Sequence, residues 1–426
     1  MQPFSQAFER TKAGLRRKVV AGMLQGVSDL RCSVDVELPL AHQWWAQQLK
    51  GTRCETKSKG CIQTVDFFCG SGGLSLGAGL AIEACGMTHV PLAAVDVDTE
   101  ALAVYVRNFN PRIALAANAA SVLDYHVYGR GEDAKLAYEP ELVDGRLEAL
   151  VGKVDLVLAG PPCQGHSNLN NHTRRSDPRN MLYTSVAATA IALRAKAVVI
   201  ENVPDVLADK TNVVGAATRI LQTAGYSVSS AVISATDMGA AQTRKRHFLV
   251  ATLGNSGHMN VGQVAELLRQ SPMTLREIIG DLATKEHASF MDDVPAMSRE
   301  NKSRIDYLFD HDEYDLPDTE RPDCHKNGHT YPSVYGRLSW DKPSQTITTG
   351  FMTPGRGRYI HPSQRRVITP REAARIQGFP DNFEFSIDGT SPSKKSLTKW
   401  IGDAVPSWLG YAAVLSALSG YQNENV

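Results

Sequence analysis

From residue 62 to 253 the chain alternates short apolar runs rich in Val and Ile with longer stretches whose apolar positions recur at helical spacing. The first kind reads as buried strand and the second as amphipathic helix. Strands are predicted at 62–68, 90–95, 154–159, 197–200, 226–233 and 247–252, and helices at 73–84, 98–108, 181–194 and 213–224. Repeated βα units predict an α/β fold, a parallel sheet covered by helices with ligands held at the carboxyl ends of the strands. After Thr252 the rhythm stops. Residues 254–336 are rich in charge, Pro, Asn and His, with only short helical pieces such as 263–270, and predict a second, smaller domain. A last helical pattern at 408–418 is expected to return and pack on the sheet. The expected organisation is an N-terminal extension of unassigned role (1–61), a main α/β domain (62–253), a small domain (254–385) and a returning C-terminal segment (386–426). In the extension, 41–49 has the pattern of an amphipathic helix carrying Trp44 and Trp45, an aromatic pair that reads either as packing or as a partner-binding patch.

At 426 residues and 42% hydrophobic content the chain can fill one large core and a smaller one. No apolar run reaches the ~18 residues that span a bilayer. The stretch 13–30 is interrupted by Arg16, Arg17, Lys18 and Asp29, so a cytoplasmic protein with no membrane partner is expected. Seven scattered cysteines, Cys32, Cys54, Cys61, Cys69, Cys85, Cys163 and Cys324, argue against a disulfide framework. Cys324, His325 and His329 lack a fourth ligand, so no metal site is predicted. The net charge is zero, yet the charges are unevenly spread. Residues 1–61 carry ten Lys or Arg against five acids, 356–375 six Arg against one Glu, and 290–323 eleven acids against four bases. A nucleic-acid surface requires a basic face, not a basic average; ordinary solvated surface is the alternative reading.

Four segments carry candidate chemistry. Val65 to Gly77 (VDFFCGSGGLSLG) is an apolar strand running into a glycine turn and a helix start, where backbone N–H groups aim at a ligand. Such turns serve many nucleotides, and Gly70, Gly72 and Gly73 do not have the dinucleotide spacing. Asp96, ending the second strand, is placed to accept ribose hydroxyls, and Asp124 to accept an adenine amino group; each alone also reads as a turn or cap residue. Ala159 to Ser167 (AGPPCQGHS) leaves its strand through two prolines, which present Cys163 at the sheet edge instead of burying it. Only about 3% of an unperturbed thiol is ionised at pH 7, so this nucleophile needs nearby dipoles or positive charge. The following loop carries Arg174, Arg175 and Arg179, suited to a polyanion or to plain surface. In Val198 to Pro204 (VVIENVP), Glu201 ends an apolar strand, where partial burial favours a neutral, proton-donating carboxyl. In Gln242 to Val250 (QTRKRHFLV), Arg244 and Arg246 alternate on an extended lead into a strand and share one face, with a surface salt-bridge pair as the alternative.

The order of GSGG, PPCQG, ENV and QTRKR, followed by QGFP at 377–380 and GDAV at 402–405, resembles the C5-cytosine DNA methyltransferase family over residues 62–418. The resemblance implies a Rossmann-like, S-adenosyl-L-methionine-dependent methyltransferase domain with a smaller target recognition domain. By it Cys163 is the nucleophile, Glu201 contacts N3 of the target cytosine, Arg246 contacts O2, and Arg244 supports the loop. Phe68, Gly70 and Gly72 would line the cofactor site, Asp96 would hold the ribose, Asp124 the adenine, and Leu182 and Val405 the walls. Gly73, Leu74, Val97, Pro161 and Asp403 are counted with them. The segment 337–349 (RLSWDKPSQTITT) looks like the family motif that follows the recognition region, which then falls near 254–336. Two positions depart from the family pattern: Asp96 stands where Glu is usual, and Asp403 where Asn is usual. The recognition region is short and its acidic run is a poor phosphate surface. Residues 254–336 together with Arg356, Arg358, Arg365 and Arg366, which can reach phosphates or guanine edges, are expected to choose the sequence, most of these arginines acting on phosphate.

The implied reaction is addition of the Cys163 thiolate at C6 and methylation of C5 on a cytosine flipped out of double-stranded DNA. Duplex DNA is the expected partner and a monomer the expected state; a cognate restriction or defence partner is a family-level expectation. Two alternatives stay open. An RNA (tRNA) cytosine-5 methyltransferase shares the cysteine motif, but the separate recognition segment favours DNA. A catalytically silent DNA-binding regulator would not need Cys163, Glu201 and Arg246 intact.

Overall fold

The computed structural model describes residues 3–162, 182–254, 258–285, 287–326 and 333–421. Cys163, Arg174, Arg175, Arg179 and His329 lie outside the described residues.

The chain opens on an antiparallel meander of β1 (Phe4–Thr11), β2 (Gly14–Ala21) and β3 (Leu24–Arg31), joined by β4 (Cys54–Thr56) after helix α1 (Leu40–Leu49). Side chains alternate across a strand, and on β2 Leu15, Arg17, Val19 and Ala21 are buried while Lys18 is exposed. An arginine in the inward row hides this alternation in the sequence, where no strand was expected before residue 62. Arg17 is 2% exposed, with its guanidinium carbon 4.7 Å from the centroid of the Trp44 ring. Trp45 meets Trp408 and Tyr411 at ring separations of 5.6 and 5.3 Å, so both tryptophans pack into the core. The β2–β3 turn approaches the end of the last helix closely: a Cβ on Gly22 would lie 2.2 Å from the Ser419 carbonyl oxygen.

The main sheet comprises β5 (Cys61–Phe67), β6 (Thr88–Asp96), β7 (Ile113–Ala116), β8 (Leu156–Ala159), β9 (Ala197–Asn202), β10 (Tyr226–Ser234) and β11 (Lys245–Leu253). Their spatial order is β10-β11-β9-β8-β5-β6-β7. Each of the six expected strands is present, and β7 is added. The expected parallel sheet is corrected at β11, which runs antiparallel to both its neighbours. Only ten residues separate β10 from β11, too few for a helical crossover, so β11 must turn back. Helices α2 (Gly73–Ala84), α3 (Thr99–Phe109), α4 (Leu182–Ala192) and α5 (Val213–Thr223) cover the sheet close to their expected positions.

Beyond β11 come α6 (Val261–Leu267), α7 (Leu275–Ile279), α8 (Arg299–Asp310) and α9 (Pro370–Gln377). The chain then returns through α10 (Lys394–Asp403) to α11 (Ser407–Ser419), which is buried along its whole length, as befits a helix apolar on all sides, and packs on α2. Ion pairs hold much of the segment between. Arg365 pairs with Asp306 and Asp310, Arg366 with Glu372, and Arg358 with Asp315. Three of the four arginines expected to meet DNA are thus engaged within the chain: folding brings Arg358 and Arg365 against the acidic run, and Arg366 pairs locally with Glu372. Among the described residues no single helix is long and apolar enough to cross a membrane.

Candidate active site

The parallel strands β5, β6, β8 and β9 end along one edge, and the candidate chemistry gathers there. Glu201, near the end of β9, is 8% exposed. Its Oε1 pairs with Arg246 Nε at 2.7 Å. Its Oε2 lies 3.6 Å from where a Cβ on Gly160 would stand. Gly160 opens the double-proline turn that precedes Cys163, and Asn202, beside Glu201, donates from Nδ2 to the Pro161 carbonyl at 3.3 Å. Adjacent residues of one strand therefore hold both the carboxyl and the proline turn. Burial pushes the Glu201 carboxyl pKa up, and Arg246 and Arg244 pull it back only in part.

Arg244 and Arg246 share a face but differ in task. Arg244 is 3% exposed and donates from Nη1 to the carbonyls of Ile347 and Gly402 at 2.7 and 2.9 Å. It stitches three distant segments together, in line with the supporting role that the resemblance implies. Two glutamines assist it from behind: Gln242 bonds to Gln377 at 2.9 Å and accepts from the Ile347 N–H at 3.1 Å, while Gln377 donates to the Ile401 carbonyl at 2.6 Å.

On the other side, β5 runs into Phe68, half-buried and at φ +56°, then Gly70 at φ +51°. Such values are rare for a side chain as large as Phe. A Cβ on Gly70 would meet nothing within 4 Å, so open space lies above the loop. At Gly72 and Gly73 packing leaves no room for a side chain: a Cβ would fall 2.2 Å from the Phe109 ring and 2.8 Å from the Val405 carbonyl oxygen, respectively. Leu74, 5% exposed, turns into the core against Gly410 and is not part of the open wall.

Asp96 does more locally than the sequence suggested. Its Oδ2 accepts from the Gly70 N–H and its Oδ1 from the Asp98 N–H, each at 2.8 Å. A carboxylate one methylene shorter than glutamate stays close to its own backbone and shapes the glycine loop, while each oxygen keeps a second lone pair for a ribose hydroxyl. Next to it Val97 is 69% exposed, an apolar surface at the strand end. Asp124 is exposed and accepts from the Tyr138 hydroxyl at 2.8 Å. Pro161 is buried, Leu182 is half-buried at the start of α4, and Val405 is 8% exposed. Asp403 is open at its tip yet flanked by protein, which raises its pKa, while Lys399, Arg244 and Arg246 act to lower it. Burial thus outweighs the three cations, and the carboxylate in place of the usual Asn is shifted toward its neutral form.

Sequence reasoning did not single out Asn202, Gln242, Gln377 or Lys399. Asn202, Gln242 and Gln377 stand inside the quoted motifs, and Lys399 lies four residues before Asp403, one turn of α10, where it also pairs with Asp98. The open cradle at Gly70, the apolar Val97 and the carboxylates of Asp96 and Asp403 suit a ligand with ribose hydroxyls and a cationic end.

Residues 62–416 match the family described as C-5 cytosine-specific DNA methylase. The chain is similar to the Type II methyltransferase M1.BsuMI of Bacillus subtilis (strain 168), at 39% identity over 358 residues, covering 84% of this chain and 80% of that protein. It is similar also to the Type II methylase M.HgiDII of Herpetosiphon aurantiacus, at 31% identity over 355 residues, covering 81% and 92%. Among solved structures, the S. pombe Dnmt2 methyltransferase aligns with a TM-score of 0.54 at 16% identity, covering 84% of this chain and 98% of that one. A putative DNA modification methyltransferase from an E. coli prophage aligns at 0.53 and 22%, with the same coverage. At these identities the structural likeness concerns the fold alone. The family match begins at Ile62, after the meander and α1.

Proposed function

We infer the reaction from one premise: this chain belongs to the C-5 cytosine-specific DNA methylase family, and it transfers a methyl group to carbon 5 of cytosine in DNA. The observation that carries the mechanism is the buried Glu201–Arg246 pair beside the proline turn that leads to Cys163. Carbon 5 of cytosine is a weak nucleophile. Addition of the Cys163 thiolate to C6 shifts the ring electrons toward C5 and makes it reactive. Glu201, its carboxyl held toward the neutral form, donates to N3, and Arg246 donates to O2 as the ring takes up charge. S-adenosyl-L-methionine supplies the methyl group on a cationic sulfur. Phe68, Gly70, Asp96 and Val97 would hold it on one side and Leu182, Asp403 and Val405 on the other, with Asp124 at the adenine. Loss of the C5 proton then restores the C5=C6 bond and releases the Cys163 sulfur. Since C6 is closed off inside a stacked duplex, the cytosine must be flipped out, at a cost of a few kcal/mol. The Type II relatives favour duplex DNA as the substrate and a restriction-modification setting.

The test is covalent capture. Incubated with S-adenosyl-L-methionine and duplex DNA in which 5-fluorocytosine replaces cytosine, the protein should form a denaturation-resistant adduct, because fluorine cannot leave as a proton does. Cys163→Ala should form none; an adduct with that variant would refute the assignment.

A further inference from the structure

Six arginines lie between residues 356 and 375. Five of them, Arg358, Arg365, Arg366, Arg371 and Arg375, end on carboxylates of this chain. Arg356 is exposed, and among the described residues its side chain has no hydrogen bond, ion pair or ring contact.

The loop that carries Arg356 is braced. Phe351 is fully buried, and successive backbone bonds run from Phe351 N to Thr348 O at 3.2 Å, Thr353 N to Gly350 O at 2.9 Å and Arg356 N to Thr353 O at 3.1 Å. The arginine stem crosses Gly350, where a Cβ would fall 2.7 Å from Arg356 Cβ and 2.9 Å from its Cγ. Packing therefore sets the direction of the stem while the guanidinium is left to solvent. The base of the same loop forms part of the active-site wall. Ile347 accepts from Arg244 at 2.7 Å, and a Cβ on Gly402 would lie 2.4 Å from Thr349 N.

We propose that Arg356 is a specificity-determining residue that reads the edge of a guanine close to the target cytosine. The proposal rests on the DNA methyltransferase reading above. A phosphate takes a guanidinium fork too, but it accepts a cation from many directions and a mobile lysine serves it as well. Guanine O6 and N7 lie in one plane and ask for donors in a fixed direction, which a planar guanidinium holds better than the point charge of a flexible lysine. A directed, unpartnered arginine on a braced loop joined to the active-site wall matches the second requirement.

Base-resolution mapping of methylated cytosine in cells expressing the wild-type chain first defines the sequence, and absence of any such methylation would count against the family-based function, separately from Arg356. Wild type, R356A and R356K are then compared on duplexes varied one flanking base pair at a time, with binding followed as a function of salt. R356A should lose discrimination for guanine at one position by roughly 5- to 150-fold, and R356K should lose part of it. R356K should keep the wild-type salt dependence, and neither variant should move the melting temperature, since no intramolecular partner is lost. The proposal fails if R356A weakens binding to every duplex alike, lowers the salt slope by about one unit and is rescued by R356K, which is the signature of a phosphate contact. It fails equally if both variants discriminate as wild type does.

Discussion

Glu201 and Arg246 are nearly closed off from water, with side-chain exposures of 10% and 15% and 2.7 Å between them. Each does two things at once. The arginine tempers the rise in the glutamate pKa that burial causes, and in the proposed mechanism both would donate to the cytosine ring as it takes up charge. Contacts that strengthen only as charge develops act on the chemical step more than on binding. Glu201→Gln and Arg246→Ala should therefore lower the single-turnover methylation rate by about 10²- to 10³-fold while changing DNA affinity far less. Rapid-quench kinetics set beside an equilibrium binding curve would decide it, and near-normal turnover would remove these residues from the mechanism. Asp96 teaches the complementary lesson. Its position at a strand end was legible, but its two backbone hydrogen bonds depend on where the glycine loop lies in space.

Between elements, α1 is pinned to the start of α7 by one histidine. His42 Nδ1 lies 2.7 Å from Glu277 Oε1 and its Nε2 2.9 Å from the Ser271 carbonyl oxygen. Glu277 also closes the capping box of α7 with Thr274. Both ring nitrogens face acceptors, so the imidazolium is the form that satisfies both. Burial pulls its pKa down, but the Glu277 hydrogen bond and charge outweigh that and the net shift is upward; Glu277 is held below its usual range. The sign follows. The histidine's contribution is complete below the ordinary imidazole value of about 6.5 and is lost as pH rises through the raised folded value. On the acid side it fades as Glu277 takes up its proton. His42→Ala should cost about 3 kcal/mol near pH 6, and the deficit should shrink as the solution becomes alkaline. Denaturant unfolding of both proteins across pH checks this; a deficit independent of pH would exclude an ionic origin.

For the whole molecule, the described residues before the family match, 3–61, contribute to the main core. Leu15, Val19, Leu30, Trp44 and Trp45 are each at most 3% exposed and join the core that includes α2 and α11. Truncating a buried tryptophan costs about 3–5 kcal/mol, so losing two removes an amount comparable with the ~5–15 kcal/mol net stability of a typical domain. A chain beginning at residue 61 should aggregate or expose dye-binding apolar surface, as read by size-exclusion chromatography and dye fluorescence. A monodisperse truncated protein with the full-length melting temperature would show that the meander is an independent appendage.

The six predicted strands, the four crossover helices and the returning helix were legible because hydrophobic period is a local property, set by which face each element must bury. The placing of Glu201, Arg244 and Arg246 at strand ends was legible for a related reason: a charged side chain bordering an apolar run stands out from it. β7 was not, since the four residues Ile113–Ala116 are too short to show a period. Nor was the meander, where Arg17 occupies an inward position beneath the Trp44 and Tyr411 rings and donates to the Tyr411 hydroxyl. The pairing of Arg358 and Arg365 with the acidic run and the isolation of Arg356 among the described residues were decided by tertiary structure alone, whereas the reversal of β11 follows from the short connection before it. Partner choice among charges depends on distances between segments far apart in the chain, and those distances exist only after the core has closed.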